Sequence, residues 1–250
     1  MQLVRNVLSV FVSTLLPCAH LIADAGPAEC SSMEDSTASI SDLNDRLIMA
    51  IITGDAKAAK AFIALGADVN AEVRSDIKDI YAEDKYQTTL MLAAKHGNTD
   101  IVNALIAAGA DVNAMYSAFH RTALMSAAKH DQAHIVKVLI AAGANIEATD
   151  FAENTALMVA AEHNSFNTVK VLCAAGANVN ATNYRGVTAL MEAAMHNNVD
   201  IVKALIIIGA EVNVKDHFGW TALNRADQYG ALDAGRILYS LRDEGKKKDG

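Results

Sequence analysis

Apolar and polar positions along the chain fall into one pattern, written several times over. Thr122, Thr155, Thr188 and Thr221 each open Thr-Ala-Leu and stand 33 residues apart, and Thr88 opens Thr-Thr-Leu one unit earlier. In the Ala-Leu-Met-x-Ala-Ala that follows, leucine and the two alanines share one helical face, and threonine is a good N-cap. This predicts a short first helix. It should end where Gly54, Gly97, Asp131, Asn164, Asn197 and Gly230 stand, since all of these residue types tolerate a left-handed backbone. A second apolar stripe follows at Ile101, Val102, Leu105 and Ile106 and recurs at Ile135, Val136, Leu139, Ile140 and at Ile201, Val202, Leu205, Ile206. A glycine then stops this second helix: Gly109, Gly143, Gly176 and Gly209 each follow their threonine by 21 residues, and Gly66 closes an earlier, degenerate unit.

Each unit is therefore a helical hairpin plus a loop, too small to bury its own apolar face, and stacking is what makes it stable. Five full units and a truncated sixth are expected. The end units are atypical, with Asp45-Arg46-Leu47 where Thr-Ala-Leu belongs, and with Asp227 and Arg236 in the last unit; these polar caps should face water.

These residues resemble the ankyrin-repeat family, whose units run Gly-x-Thr-Pro-Leu-His-x-Ala-Ala and end Gly-Ala-Asp-Val-Asn-Ala. The resemblance covers roughly Ser41 to Arg242. It implies an all-α solenoid of stacked helix-turn-helix units with protruding loops, and a protein–protein interaction scaffold rather than an enzyme. Two departures recur. Thr89, Ala123, Ala156, Ala189 and Ala222 replace the proline, and Met91, Met125, Met158 and Met191 replace the histidine, so apolar sulfur packing is expected where the family has a polar ladder. The loop glycine is present at Gly186 and Gly219 but replaced by Tyr86, His120 and Glu153, which predicts less secure loop tips in the N-terminal half.

Outside the repeats, residues 1–25 read as a secretory signal peptide: Arg5 in a short polar start, an apolar run from Val7 to Ile22, and Ala23-Asp24-Ala25 as a cleavage site. A retained membrane anchor and a lipid anchor at Cys18 are the alternatives. Cleavage would leave no membrane insertion and an exported, bacterial-type protein in the periplasm or medium. Residues 26–40 read as a flexible linker and 243–250 as a disordered tail. Cys30 and Cys173 alone are too few for a disulfide framework, and Cys173, in a slot held elsewhere by Ile106, Ile140 and Ile206, should be a buried apolar thiol.

A net charge of −8 argues against nucleic acid, which needs clustered Lys and Arg. With 250 residues and 52% hydrophobic content a folded body needs no staples, and a monomer is expected. Of 13 aromatic residues, eight fall in the inter-repeat loops: Tyr81, Tyr86, Tyr116, Phe119, Phe151, Tyr184, Phe218 and Trp220. Interfaces favour such rings, so these eight with Arg121 and Arg185 are candidate contacts for another protein. The insertion at 71–87, longer than its counterparts, places Ile77, Ile80 and Tyr81 among Asp76, Asp79, Glu83 and Asp84. Its spacing lacks the glycine and terminal glutamate of a calcium loop.

A column of histidines, His96, His130, His163 and His196, closes the first helices, each preceded by Lys95, Lys129, Glu162 or Met195. These eight residues complete the candidate protein-binding set. Rungs about 10 Å apart are too distant for zinc, which needs nitrogens at about 2.1 Å, so a polar contact row is expected that gains charge from about pH 7 to about pH 5.5. No nucleophile, base and orienting group recur together and no phosphate loop is present, so neither catalysis nor a cofactor is expected. Other readings stay open: an exported inhibitor, immunity-like protein or host-directed effector, or more remotely a histidine-based metal-binding protein or hydrolase.

Overall fold

The computed structural model describes residues 40–74, 86–115 and 119–248. Within them the repeat resolves into six helical pairs: α1 (Ile40–Thr53) with α2 (Ala56–Ala64), α3 (Thr89–His96) with α4 (Thr99–Ala107), α5 (Ala123–Lys129) with α6 (Ala133–Ala141), α7 (Ala156–Glu162) with α8 (Phe166–Ala174), α9 (Ala189–Met195) with α10 (Val199–Ile208), and α11 (Ala222–Tyr229) with α12 (Leu232–Lys248). Each threonine caps its helix as expected. The hydroxyls of Thr122, Thr155 and Thr188 accept the N–H of the methionine three residues on, at 3.3, 3.4 and 3.3 Å. The backbone turns left-handed after each first helix, even where the residue is not glycine: φ is 51° at Asp131, 58° at Asn164 and 55° at Asn197.

First helices stack on first helices and second on second along the whole array. Ala93, Ala94, Ala127, Ala128, Ala160, Ala161, Ala193 and Ala194 are fully buried, and their small side chains allow this close approach. One continuous core runs from Leu47 to Leu238. Met91, Met125, Met158 and Met191 are buried in it, so sulfur packing fills the slots as expected. Met91 Sδ even accepts the Thr88 N–H at 3.5 Å.

A polar ladder also ties the repeats, on the loop side, through the closing Asn of each unit. Asn113 Nδ2 donates to the Gly143 carbonyl at 3.0 Å while its Oδ1 accepts the Asn145 N–H at 2.8 Å. Asn70 makes the same pair of contacts one repeat earlier, and Asn180 Oδ1 accepts the Glu211 N–H at 2.9 Å. Where Glu147 replaces the asparagine, its Oε1 still accepts the Asn178 N–H at 2.8 Å.

Three features differ from the sequence reading. The insertion leaves and re-enters through a short antiparallel pair, β1 (Glu72–Arg74) and β2 (Tyr86–Thr88), with Glu72 opposite Thr88, so a two-stranded sheet is added to the helices. α12 continues past Arg242 to Lys248, into the segment expected to be a disordered tail. Cys173 is half-buried rather than fully enclosed, and burial still pushes its thiol pKa up. The polar caps behave as expected, with Asp227 and Arg236 exposed. The expected signal peptide and the linker up to residue 39 lie outside the described residues, as does 75–85 of the insertion. Among the described residues no helix is long and apolar enough to cross a membrane.

Candidate protein-binding surface

The inter-repeat loops are fingers built on a buried Asx residue. Asp150 Oδ1 accepts the N–H groups of Ala152 and Asn154, both at 2.8 Å. Asn183 does the same for Arg185 and Val187 at 2.9 and 3.0 Å, and Asp216 for Phe218 and Trp220 at 2.8 and 2.9 Å. The tip residue is left-handed in every case, with φ of 53° at His120, 60° at Glu153, 75° at Gly186 and 79° at Gly219. The tips at His120 and Glu153 are thus formed without glycine, the second on Asp150 and the first bonded to the next finger through the Phe119 carbonyl; the first finger, 75–85, lies outside the described residues. Gly186 is different: a Cβ there would lie 3.1 Å from the Asp216 Cα and the His217 N, so close packing of the next finger also requires glycine.

Backbone bonds join finger to finger: Phe151 N–H to the Phe119 carbonyl at 2.9 Å, Tyr184 N–H to Ala152 at 3.3 Å, and His217 N–H to Arg185 at 2.9 Å. This strip presents Phe151, Tyr184 and Phe218 to solvent at 73%, 47% and 69% exposure. Arg185 Nε donates to the Tyr184 hydroxyl at 2.6 Å. Phe119 and Arg121 are half-buried. Tyr81 and Tyr116 lie outside the described residues, and of Tyr86 only the backbone, in β2, is described.

The histidine column acquires a structural role that its spacing alone did not reveal. His130, His163 and His196 stand at the C-caps of α5, α7 and α9, and each Nδ1 lies on the carbonyl four residues back: Ser126 at 2.9 Å, Val159 at 3.1 Å and Glu192 at 3.0 Å. A carbonyl can only accept, so Nδ1 carries the proton and adds a side-chain bond to the last turn of its own helix. The signal was present in the sequence, because each of these histidines directly precedes a non-glycine left-handed residue. His96 differs: Gly97 is the C-cap of α3, and burial, then Lys95, then His130 hold the His96 pKa below its usual value. Lys95, Lys129 and Met195 are half-buried, and Glu162 is exposed with its carboxylate 3.8 Å from His163 Nδ1. Among the described residues no three His, Cys, Asp or Glu side chains gather as a metal centre.

One further column, absent from the candidate set, runs down the first helices at the fourth position after each threonine: Leu92, Ser126, Val159, Glu192 and Arg225. Its last two members bring charge into the first-helix layer. Arg225 is buried, and its Nε donates to Asp216 Oδ2 at 2.7 Å. Burial alone would raise the Asp216 pKa, but hydrogen bonds from the Trp220 N–H, the Arg225 guanidinium and the Phe218 N–H outweigh it and hold the carboxyl below its ordinary value. Trp220 is half-buried, with the Arg225 guanidinium 5.0 Å from its ring and the Phe218 ring 6.4 Å away.

The structure therefore carries the rings of Phe151, Tyr184 and Phe218 exposed on fingers that are bonded to one another. A family model described as ankyrin repeats (3 copies) matches residues 47–150, 90–183 and 157–249. No curated protein matches the chain.

Proposed function

Since the chain belongs to the ankyrin-repeat family, whose repeats generally mediate protein–protein interaction, we propose that it is a non-enzymatic scaffold that captures one partner protein across its fingers and concave helix face. The observation that carries this reading is the row of exposed rings, Phe151, Tyr184 and Phe218, on fingers tied to one another by backbone hydrogen bonds. Rigid aromatic anchors lose little entropy on binding, and a prebuilt row has no cost of ordering. We place the protein outside the cytoplasm, on the signal-like character of residues 1–25.

The test is affinity capture with the full chain and with the triple variant Phe151→Ala/Tyr184→Ala/Phe218→Ala. A partner retained by the first and lost by the second, at equal melting temperature, supports the reading. Equal retention by both removes the fingers from the interface. Cell fractionation checks the location, and an uncleaved cytosolic chain overturns that part.

A further inference from the structure

Glu192 lies in the middle of α9, in the first-helix column, with its side chain only 15% exposed. Everything around it is already committed. The preceding rung of its column is Val159, buried and apolar. The following rung is Arg225, whose Nε and Nη2 both engage Asp216 Oδ2. His196 Nδ1 sits 4.0 Å from the Glu192 carboxylate but gives its proton to the Glu192 backbone carbonyl. Arg185, on the finger leading into α9, directs its Nε to the Tyr184 hydroxyl. Among the described residues no donor reaches the Glu192 carboxyl oxygens within hydrogen-bond distance.

A partly desolvated carboxylate without a donor is unfavourable in the free protein and is relieved by a cation brought from outside. The second like charge, Glu162 on the adjacent rung α7, is 43% exposed and faces the same space. The whole chain carries a net charge of −8, which steers a basic partner towards it.

Resting on the scaffold reading above, we propose that the first-helix face over α7 and α9 docks a basic side chain of the partner, a lysine or arginine in an extended segment, on Glu192, with Glu162 as second contact. Such docking needs Glu192 ionised. Its carboxyl pKa is raised to about 7, by burial first and then by Glu162, against the opposing pull of His196, Arg225 and Arg185. Binding at neutral pH therefore releases a proton, and affinity falls as the pH drops below 7.

The experiment pans a displayed random-peptide library on the full chain at pH 8 and titrates the enriched peptides, as synthetic probes, against the full chain and its variants. The expected peptides contain Lys or Arg. Their affinity should fall roughly tenfold per pH unit below about 7, the slope of one linked proton. Glu192→Gln should weaken them about tenfold or more at pH 8 and abolish the pH dependence, while a melting curve confirms that the variant is folded. Peptides without basic residues, or basic peptides bound equally by Glu192→Gln, overturn the proposal. Among those, peptides still lost on the triple fingertip variant keep the scaffold reading intact, whereas peptides indifferent to both variants, or a library that yields none, overturn both.

Discussion

Arg225 Nε meets Asp216 Oδ2 at 2.7 Å in the last repeat, where the preceding repeat holds Glu192 and Asn183 at the same two positions. One pair of positions thus carries a satisfied ion pair in one rung and a carboxyl without donors in the next. The Asp216 side chain is fully buried and that of Arg225 is 9% exposed, so neither charge has water to fall back on.

Replacing Asp216 by Asn keeps the Oδ1 acceptor for the finger, as Asn183 shows, but leaves Arg225 as an uncompensated buried charge. Asp216→Asn should therefore destabilise by about 3 kcal/mol. Arg225→Ser, which installs the residue found at this column position in Ser126, should recover much of that loss in the double variant. Urea denaturation of the four proteins of the cycle measures the coupling; strictly additive single effects would mean that the pair contributes nothing.

Thr168 occupies the slot held by Ile101, Ile135 and Ile201 in other second helices, and it is fully buried. Its Oγ1 and the nearby Ser165 Oγ have no hydrogen-bond partner among the described residues. Thr168→Val keeps the shape and removes the stranded hydroxyl, so it should stabilise the array by about 1 kcal/mol. A destabilised variant in the same denaturation assay would show that the hydroxyl is satisfied after all, for example by buried water.

What the sequence discloses and what it hides separate along one line. Features local to a unit were legible: the threonine caps, the left-handed turns at Asp131, Asn164 and Asn197, and the buried methionines follow from residue type and spacing. Features made between rungs were not, because their partners lie about one repeat away and only stacking register brings them together. Asn113 reaching Gly143 is one such case, and the isolation of Glu192 between Val159 and Arg225 is another. The strand pair at the root of the insertion is hidden in the sequence because Glu72-Val73-Arg74 and Tyr86-Gln87-Thr88 are too short to announce it. The place of the histidines at the ends of the first helices does not distinguish a free outward ring from one whose Nδ1 also bonds the last turn of its own helix, as at His130, His163 and His196.

That distinction has a measurable consequence for His163 and His96. His163 Nδ1 caps the Val159 carbonyl at 3.1 Å, whereas His96 is the last residue of a helix capped by Gly97. His163→Ala should lose about 1 kcal/mol at pH 7.5, as expected for one net hydrogen bond at a helix end. His96→Ala should be close to neutral there and should gain relative to the parent in mild acid, because a lowered folded-state pKa means that charging His96 works against the folded state. Equal losses for both variants would place the two rings in the same role.

Glu192 gives stability a pH dependence of its own. Its folded-state pKa, about 7, lies above the ordinary value of 4.5, so between these pH values the folded chain holds a proton that the unfolded chain has released. The stability linked to this group is fully present below 4.5 and is lost as the pH rises through 7, with a total change on the order of 3 kcal/mol for a shift of this size. Glu192→Gln removes the titration while keeping size and polarity. The variant should match the parent at about pH 4 and exceed it in stability at pH 8, where the parent carries an ionised carboxylate beside Glu162 with no donor. Denaturant midpoints for both proteins at pH 4, 6 and 8 give the comparison. A difference that stays constant across the three, or a variant less stable than the parent at pH 8, would mean that the carboxylate is better solvated or better partnered than its surroundings on α7, α9 and α11 allow.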